Sequence, residues 1–126
     1  MAKKFILWGL ILGGIAVVLG ALGAHALKPH LSTAQLDSFE TGVRYQMYHS
    51  LLLMILSTQS KIIDRLLLTL LIMGVVLFSF SIYLLNLKEL ISIEAINYLG
   101  PITPIGGLLL ISSWFILIIR TLRNAK

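Results

Sequence analysis

The sequence predicts an all-α membrane protein, a bundle of four transmembrane helices with an amphipathic segment between helices 1 and 2. Three observations carry that expectation. Of the 126 residues, 58% are apolar or aromatic and only 12% are charged, whereas a water-facing domain carries roughly 25% charged residues. The apolar residues fall into four long stretches. The Lys and Arg residues gather in the short segments between them, where water and anionic headgroups meet the ends of membrane helices.

The first stretch, residues 5–27, holds no charged group except what His25 acquires on protonation. At about 1.5 Å per residue it covers the roughly 30 Å of hydrocarbon in a bilayer. Lys3 and Lys4 before it and Ala24-His25-Ala26 at its end imitate a signal peptide. The apolar run is longer than the roughly 7 to 15 residues of such a leader, so it reads as a retained span. Gly9, Gly13, Ala16 and Gly20 recur along it, and small residues at that spacing let a neighbouring helix approach closely. Gly9, Gly13 and Gly20 are therefore expected on a packing face.

Residues 33–43 read as a helix at the membrane surface. Ser32 is placed to cap it, Gln35 stands at the reciprocal position of a capping box, and Leu31 with Leu36 has the spacing of a hydrophobic staple. Leu36, Phe39, Val43 and Met47 continue at helical spacing, with Asp37, Ser38 and Glu40 as polar positions. The surface helix is expected to run straight into the second span, 41–60, or to kink near Gly42. That span is long enough only if Arg44 lies inside it and snorkels toward the headgroups.

The third span, 66–87, has no ionisable group other than Tyr83, and Ser79, Tyr83 and Asn86 form a polar series at helical spacing. The fourth, 99–119, opens with Gly100, Pro101, Pro104, Gly106 and Gly107. Proline suits a first helical turn, where its missing N–H has no intrahelical partner to lose. Gly106 and Gly107 join the residues expected at helix contacts.

Orientation follows from the basic residues near the span ends. With the amino terminus in the cytoplasm, Lys3, Lys4, Lys61, Arg65, Arg120, Arg123 and Lys126 lie inside, against Lys28, Arg44 and Lys88 outside. That excess favours both termini on the cytoplasmic side. Four of the five acids, Asp37, Glu40, Glu89 and Glu94, then fall outside. The cytoplasmic membrane of a bacterium is the expected location.

Cysteine is absent, which excludes disulfides and thiolate chemistry. The sequence contains no phosphate-binding loop, no His-Glu-x-x-His pair and no nucleophile elbow. No catalytic residue, metal site or cofactor is therefore assigned, and an enzyme is not expected. The basic residues do not form the stripe a nucleic acid would need. Membrane lipids, together with a membrane-protein partner or a second copy of the chain, are the expected partners.

The candidate polar interior site comprises His25, Glu40, Arg44, Tyr45, Tyr48 and His49, with Ser79 and Tyr83 from the third span. Glu40, Arg44 and Tyr48 follow one another at four-residue spacing, Tyr45 and His49 share a neighbouring face, and the turn after span one brings His25 toward them. Arg and His are costly in lipid and are expected to face the bundle. Three readings compete: a structural cluster, a site for passage of a small solute or ion between helices 1 and 2, and haem ligation by His25 and His49, for which two histidines alone are weak support.

Four blocks in order carry a resemblance: Gly20-Ala21-Leu22-Gly23-Ala24-His25-Ala26-Leu27, Phe39-Glu40-Thr41-Gly42-Val43-Arg44-Tyr45-Gln46-Met47-Tyr48-His49, Leu77-Phe78-Ser79-Phe80-Ser81-Ile82-Tyr83, and Pro101-Ile102-Thr103-Pro104-Ile105-Gly106-Gly107 followed by Trp114. Together they resemble the YwdK/YgdD family of small bacterial membrane proteins, which carries a domain of unknown function. The resemblance covers nearly the whole chain and implies the same four-helix membrane fold. It also implies that His25, Arg44, Tyr45, His49, Ser79, Tyr83, Pro104 and Gly107 match the family's recurring pattern. Phe80 departs from the small residue that pattern has between its serines. A structural or accessory role is the leading expectation, with a small transporter or channel as the alternative.

Overall fold

The computed structural model describes residues 1–91 and 99–124. Every regular element among them is helical: α1 (Ala2–Ala24), α2 (Thr33–Leu56), α3 (Arg65–Ile91) and α4 (Ile102–Asn124). Glu94 and Lys126, both counted in the charge balance, lie outside the described residues.

The α1–α2 connection follows local chemistry. After Ala24 the chain closes a turn through His30 N–H to Leu27 O at 2.9 Å, with Pro29 unable to extend a helix. Ser32 then caps α2: its hydroxyl accepts from Gln35 N–H at 3.3 Å, and Gln35 Oε1 accepts from Ser32 N–H at 2.9 Å. The capping box anticipated from Ser32 and Gln35 is thus present, with Leu31 buried beneath it.

Of the two alternatives at the join, the straight one is found: residues 33–43 and the span expected over 41–60 form one uninterrupted helix, which ends at Leu56. Gly42 does not kink it. A Cβ on Gly42 would lie 2.7 Å from the edge of the Tyr83 ring, so the glycine is where α3 presses a side chain against the α2 backbone.

Asp64 caps α3 by accepting from Leu67 N–H at 2.9 Å. Midway, Val76–Phe80 widens into a π-turn, and Ser81 Oγ donates to Leu77 O at 2.6 Å. With its one proton committed there, Ser81 accepts from Thr103 Oγ1, 2.6 Å away on α4. In α4, Pro104 occupies the first turn, as anticipated.

The helices pack as two hairpins. Gly9 of α1 meets Met54 and Ser50 of α2, Gly13 meets Ser50, Gly20 meets Val43 and Gly23 meets Phe39, so α2 runs antiparallel along nearly all of α1. Gly74 of α3 receives Leu110 of α4, and Gly106 of α4 sits on the backbone of Leu77 and Phe78. Gly107 is less confined, because a Cβ there would meet the Phe78 ring at an ordinary 3.7 Å. Phe5, Leu53, Leu56, Leu67 and Leu117 join one apolar cluster, which gathers the start of α1, the end of α2, the start of α3 and the end of α4 at one end of the bundle.

The outward faces are as greasy as the core. Leu7, Val17 and Val18 on α1 and Leu108, Phe115 and Leu122 on α4 are all more than half exposed. Three helices, α1, α3 and α4, are long and apolar enough to cross a membrane. The 24 residues of α2 match them in length, but Asp37, Glu40, Arg44, Gln46 and His49 lower its apolar character.

Candidate functional site: a polar interior between greasy faces

Four of the buried polar side chains, Gln46, His49, Ser81 and Asn86, link one helix to another. Gln46, on the inward face of α2, is fully buried. Its amide donates to Leu12 O of α1 at 2.8 Å, and its carbonyl oxygen accepts from the Tyr83 hydroxyl of α3 at 2.9 Å. One side chain thereby joins three helices. The Tyr83 ring also packs on Phe39, with centroids 4.8 Å apart. Near the Ser32 end of α2, Asn86 donates to Ser38 Oγ at 2.9 Å and to Ile82 O at 2.8 Å.

His49 forms a second node. Its Nδ1 lies 2.8 Å from Tyr45 O, and a carbonyl only accepts, so Nδ1 carries the proton. Trp114 Nε1 lies 3.2 Å from His49 Nε2, and an indole N–H only donates, so Nε2 offers its lone pair. Both contacts are satisfied by one neutral tautomer. Tyr45, His49, Phe78 and Trp114 line an outward-opening groove of about 260 Å³ between α2, α3 and α4.

The predicted site residues separate into two groups. His49, Ser79 and Tyr83 are buried, whereas His25, Glu40, Arg44, Tyr45 and Tyr48 are exposed. Glu40 and Arg44 are not joined: the Arg44 guanidinium reaches Thr41 Oγ1 at 3.4 Å. The stripe Glu40, Arg44, Tyr48 faces outward because Phe39, Gly42, Gln46, His49 and Leu53 form the buried face of α2. Ser79 Oγ is buried without a hydrogen-bond partner. Gln46 and Trp114 were missing from the predicted group; the spacing of Gln46 from Gly42, His49 and Leu53 was the signal for it.

At the opposite end of the bundle, Arg120 of α4 clasps Asp64 through Nη1–Oδ1 at 2.9 Å and Nη2–Oδ2 at 2.7 Å, and Nη1 also donates to Ile62 O at 2.8 Å. This is the one ion pair among the described residues. Hydrogen bonding to Arg120 holds the Asp64 carboxyl below the usual carboxylate range. The unfolded chain therefore takes up this proton more readily than the folded one. The pair's stabilisation is complete above the unfolded value of about 3.9 and is lost as pH falls through the lower folded value. With side chains 24% (Arg120) and 47% (Asp64) exposed, solvent screening limits the pair. Asp64→Asn is expected to cost under about 1 kcal/mol at neutral pH, with the gap to the unaltered chain closing below about pH 4 in melting measurements across pH.

A family model described as "Protein of unknown function (DUF423)" matches residues 19–107, which takes in Gln46, His49, Tyr83 and the Gly106 contact, with Leu12 and Trp114 lying outside it. The chain belongs to the DUF423 family. Among curated DUF423 relatives, a UPF0382 membrane protein of Staphylococcus haemolyticus is 43% identical over 124 residues, covering 96% of this chain and 97% of the relative. One from Staphylococcus epidermidis is 40% identical over 126 residues, covering 98% of each chain. YwdK of Bacillus subtilis is 36% identical over 126 residues, covering 96% of this chain and 98% of YwdK. The earlier resemblance to a YwdK-containing family of membrane proteins of unknown function is thereby established. No solved structure matches this DUF423 chain.

Proposed function

We propose that this DUF423 protein crosses the bacterial cytoplasmic membrane four times, with both termini in the cytoplasm, and acts as a non-catalytic structural or accessory component. The observation that carries the accessory reading is the pairing of interior polar groups. Gln46 donates to Leu12 O and accepts from Tyr83, and His49 is held between Tyr45 and Trp114, while Ser79 Oγ alone among the described buried side chains lacks a partner. Groups committed to one another brace helices; groups that pass a solute or proton must exchange partners. The surfaces left for lipids, for a membrane-protein partner or for a second copy are the outward faces of α1 and α4.

Two features support the fourth crossing. α2 lies against α1 from Gly9 and Met54 to Gly23 and Phe39, so any slab of hydrocarbon that α1 traverses is traversed by α2 beside it. In lipid the helix satisfies its own backbone; Gln46 and His49 turn inward, and the outward-facing Glu40 and Arg44 lie in the half of α2 nearer Ser32, from which Arg44 can snorkel toward the headgroups. Lys3, Lys4, Lys61, Arg65, Arg120 and Arg123 belong to the end that holds both termini, against Lys28, Arg44 and Lys88 toward the other, which supports the cytoplasmic placement.

Reconstitution into sealed liposomes tests the accessory role. Ion and small-solute flux is expected to stay at the level of empty vesicles. Flux well above that level, abolished by His49→Phe in a protein that still folds, would instead make the polar interior a transport path.

A further inference from the structure

Beyond its bracing, the bundle carries a feature shaped like an amphiphile at the end that holds its termini. A hollow of about 370 Å³ lies between the 57–64 loop and the end of α4, lined by Lys61, Arg120, Arg123 and Asn124 among others. A second hollow, of about 500 Å³, shares Lys61 and Asn124 with it and extends to Gln59, Ser60 and Thr121. Thr121 is also the upper wall of an apolar furrow of about 310 Å³ that descends along α4 past Leu122 and Ile118 to Trp114. The second hollow and the furrow thus share a wall at Thr121.

The charges at the head of this path are set by the Asp64–Arg120 clasp. Asp64 spends both carboxylate oxygens on Arg120, and no other acid pairs with Lys61 or Arg123 among the described residues. The hollow is therefore left with two uncommitted cations. The clasp, with the Arg120 bond to Ile62 O, also ties the loop that carries Lys61 to α4. Below them, Ile118 and Leu122 are more than half exposed, at the boundary where acyl chains give way to headgroups.

We propose that this path is a binding site for an anionic phospholipid, with the headgroup phosphate between Lys61 and Arg123 and one acyl chain in the furrow beside Trp114. Charge complementarity selects the head, and the apolar furrow that adjoins the polar hollows at Thr121 selects a ligand that carries a tail. The assignment rests on the four-span reading, which sets this end of the bundle at a membrane surface.

Trp114 lines the furrow and also borders the His49 groove, so the headgroup substitutions below decide which of the two a quencher occupies. The chain has two tryptophans, so Trp8→Phe leaves Trp114 as the single emitter in the full-length protein held in a neutral detergent. Phosphatidylglycerol with brominated acyl chains is expected to quench Trp114 saturably, and phosphatidylcholine with the same chains only at much higher mole fraction. Lys61→Gln with Arg123→Gln should raise the half-saturating phosphatidylglycerol fraction about 25-fold, at about fivefold for each cation, and Arg123→Gln alone should fall between. Lys3→Gln with Lys4→Gln removes the same charge from the same end and should leave the value unchanged.

Equal loss in the two double variants, or equal quenching by the two lipids, overturns the site and leaves only diffuse attraction to a basic surface. Displacement of the brominated lipid by an equal concentration of glycerol phosphate overturns the lipid assignment in favour of a soluble phosphate. The micelle measurement does not depend on which way α2 crosses a bilayer, so its failure is distinct from a failure of the topology.

Discussion

Gly106→Ala is expected to destabilise the bundle by about 3 kcal/mol, near the upper end for overpacking a close contact. A Cβ at this position would fall within contact of Phe78 N and would lie 2.7 Å from Leu77 C and 2.8 Å from Phe78 Cα. Those atoms are backbone, inside the π-turn of α3, and have no rotamer to move into. Relief requires α4 to withdraw, which also parts Ser81 from Thr103 and Gly74 from Leu110. Gly107→Ala is the control: its Cβ meets the Phe78 ring at 3.7 Å, and the gain in helix propensity, up to about 1 kcal/mol, offsets any crowding. Unfolding in mixed micelles should place the Gly107 variant at or above the unaltered chain and the Gly106 variant far below. Equal stability of the two would show that the α3–α4 contact is looser than described.

Gln46→Leu is expected to cost about 2 kcal/mol, because it leaves the buried Tyr83 hydroxyl without an acceptor in a region water does not reach. The volume is nearly kept, so the loss reports the hydrogen bonds and not a cavity. Tyr83→Phe removes the stranded donor. The double variant should therefore be less destabilised than the two single losses added together, with a coupling of about 1 kcal/mol, in the range measured for interhelical bonds in membranes. Additive losses would mean that Gln46 and Tyr83 stabilise the bundle independently and that the three-helix link is not a unit.

Much of the fold was legible because the bilayer imposes simple demands. The apolar runs of α1, α3 and α4 are long enough to be found by length alone, and the Ser32–Gln35 cap and Pro104 are local rules that need no tertiary knowledge. The small-residue series of α1 was legible for a similar reason: at Gly9 a Cβ would stand 2.8 Å from Ser50 O, and only glycine permits that approach.

The candidate site was less legible, and α2 explains why. Apolar spacing marks Leu36, Phe39, Val43 and Met47 as the apolar side of a surface helix, yet of these only Phe39 is buried, and Gly42, Gln46 and His49 share the buried face with it. In water the apolar face turns inward; in lipid a greasy side chain is content on either face, and it is the polar side chain that seeks the interior. Gln46 was therefore overlooked as an ordinary polar residue. Glu40, Arg44 and Tyr48 were grouped by mutual spacing, which says that they share a face but not which way that face points. The Trp114–His49 and Arg120–Asp64 bonds join residues 65 and 56 positions apart, and no local pattern encodes such pairings.

The central claim, that α2 crosses the membrane beside α1 and returns the chain to the cytoplasmic side, is open to a direct measurement. Because the sequence lacks cysteine, His30→Cys and Ser60→Cys each introduce a single thiol, at exposed positions in the loops before and after α2. A membrane-impermeant maleimide applied to intact cells should label the first and reach the second only after the membrane is opened. Labelling of both from the same side would contradict the crossing, and the reverse pattern would contradict the orientation.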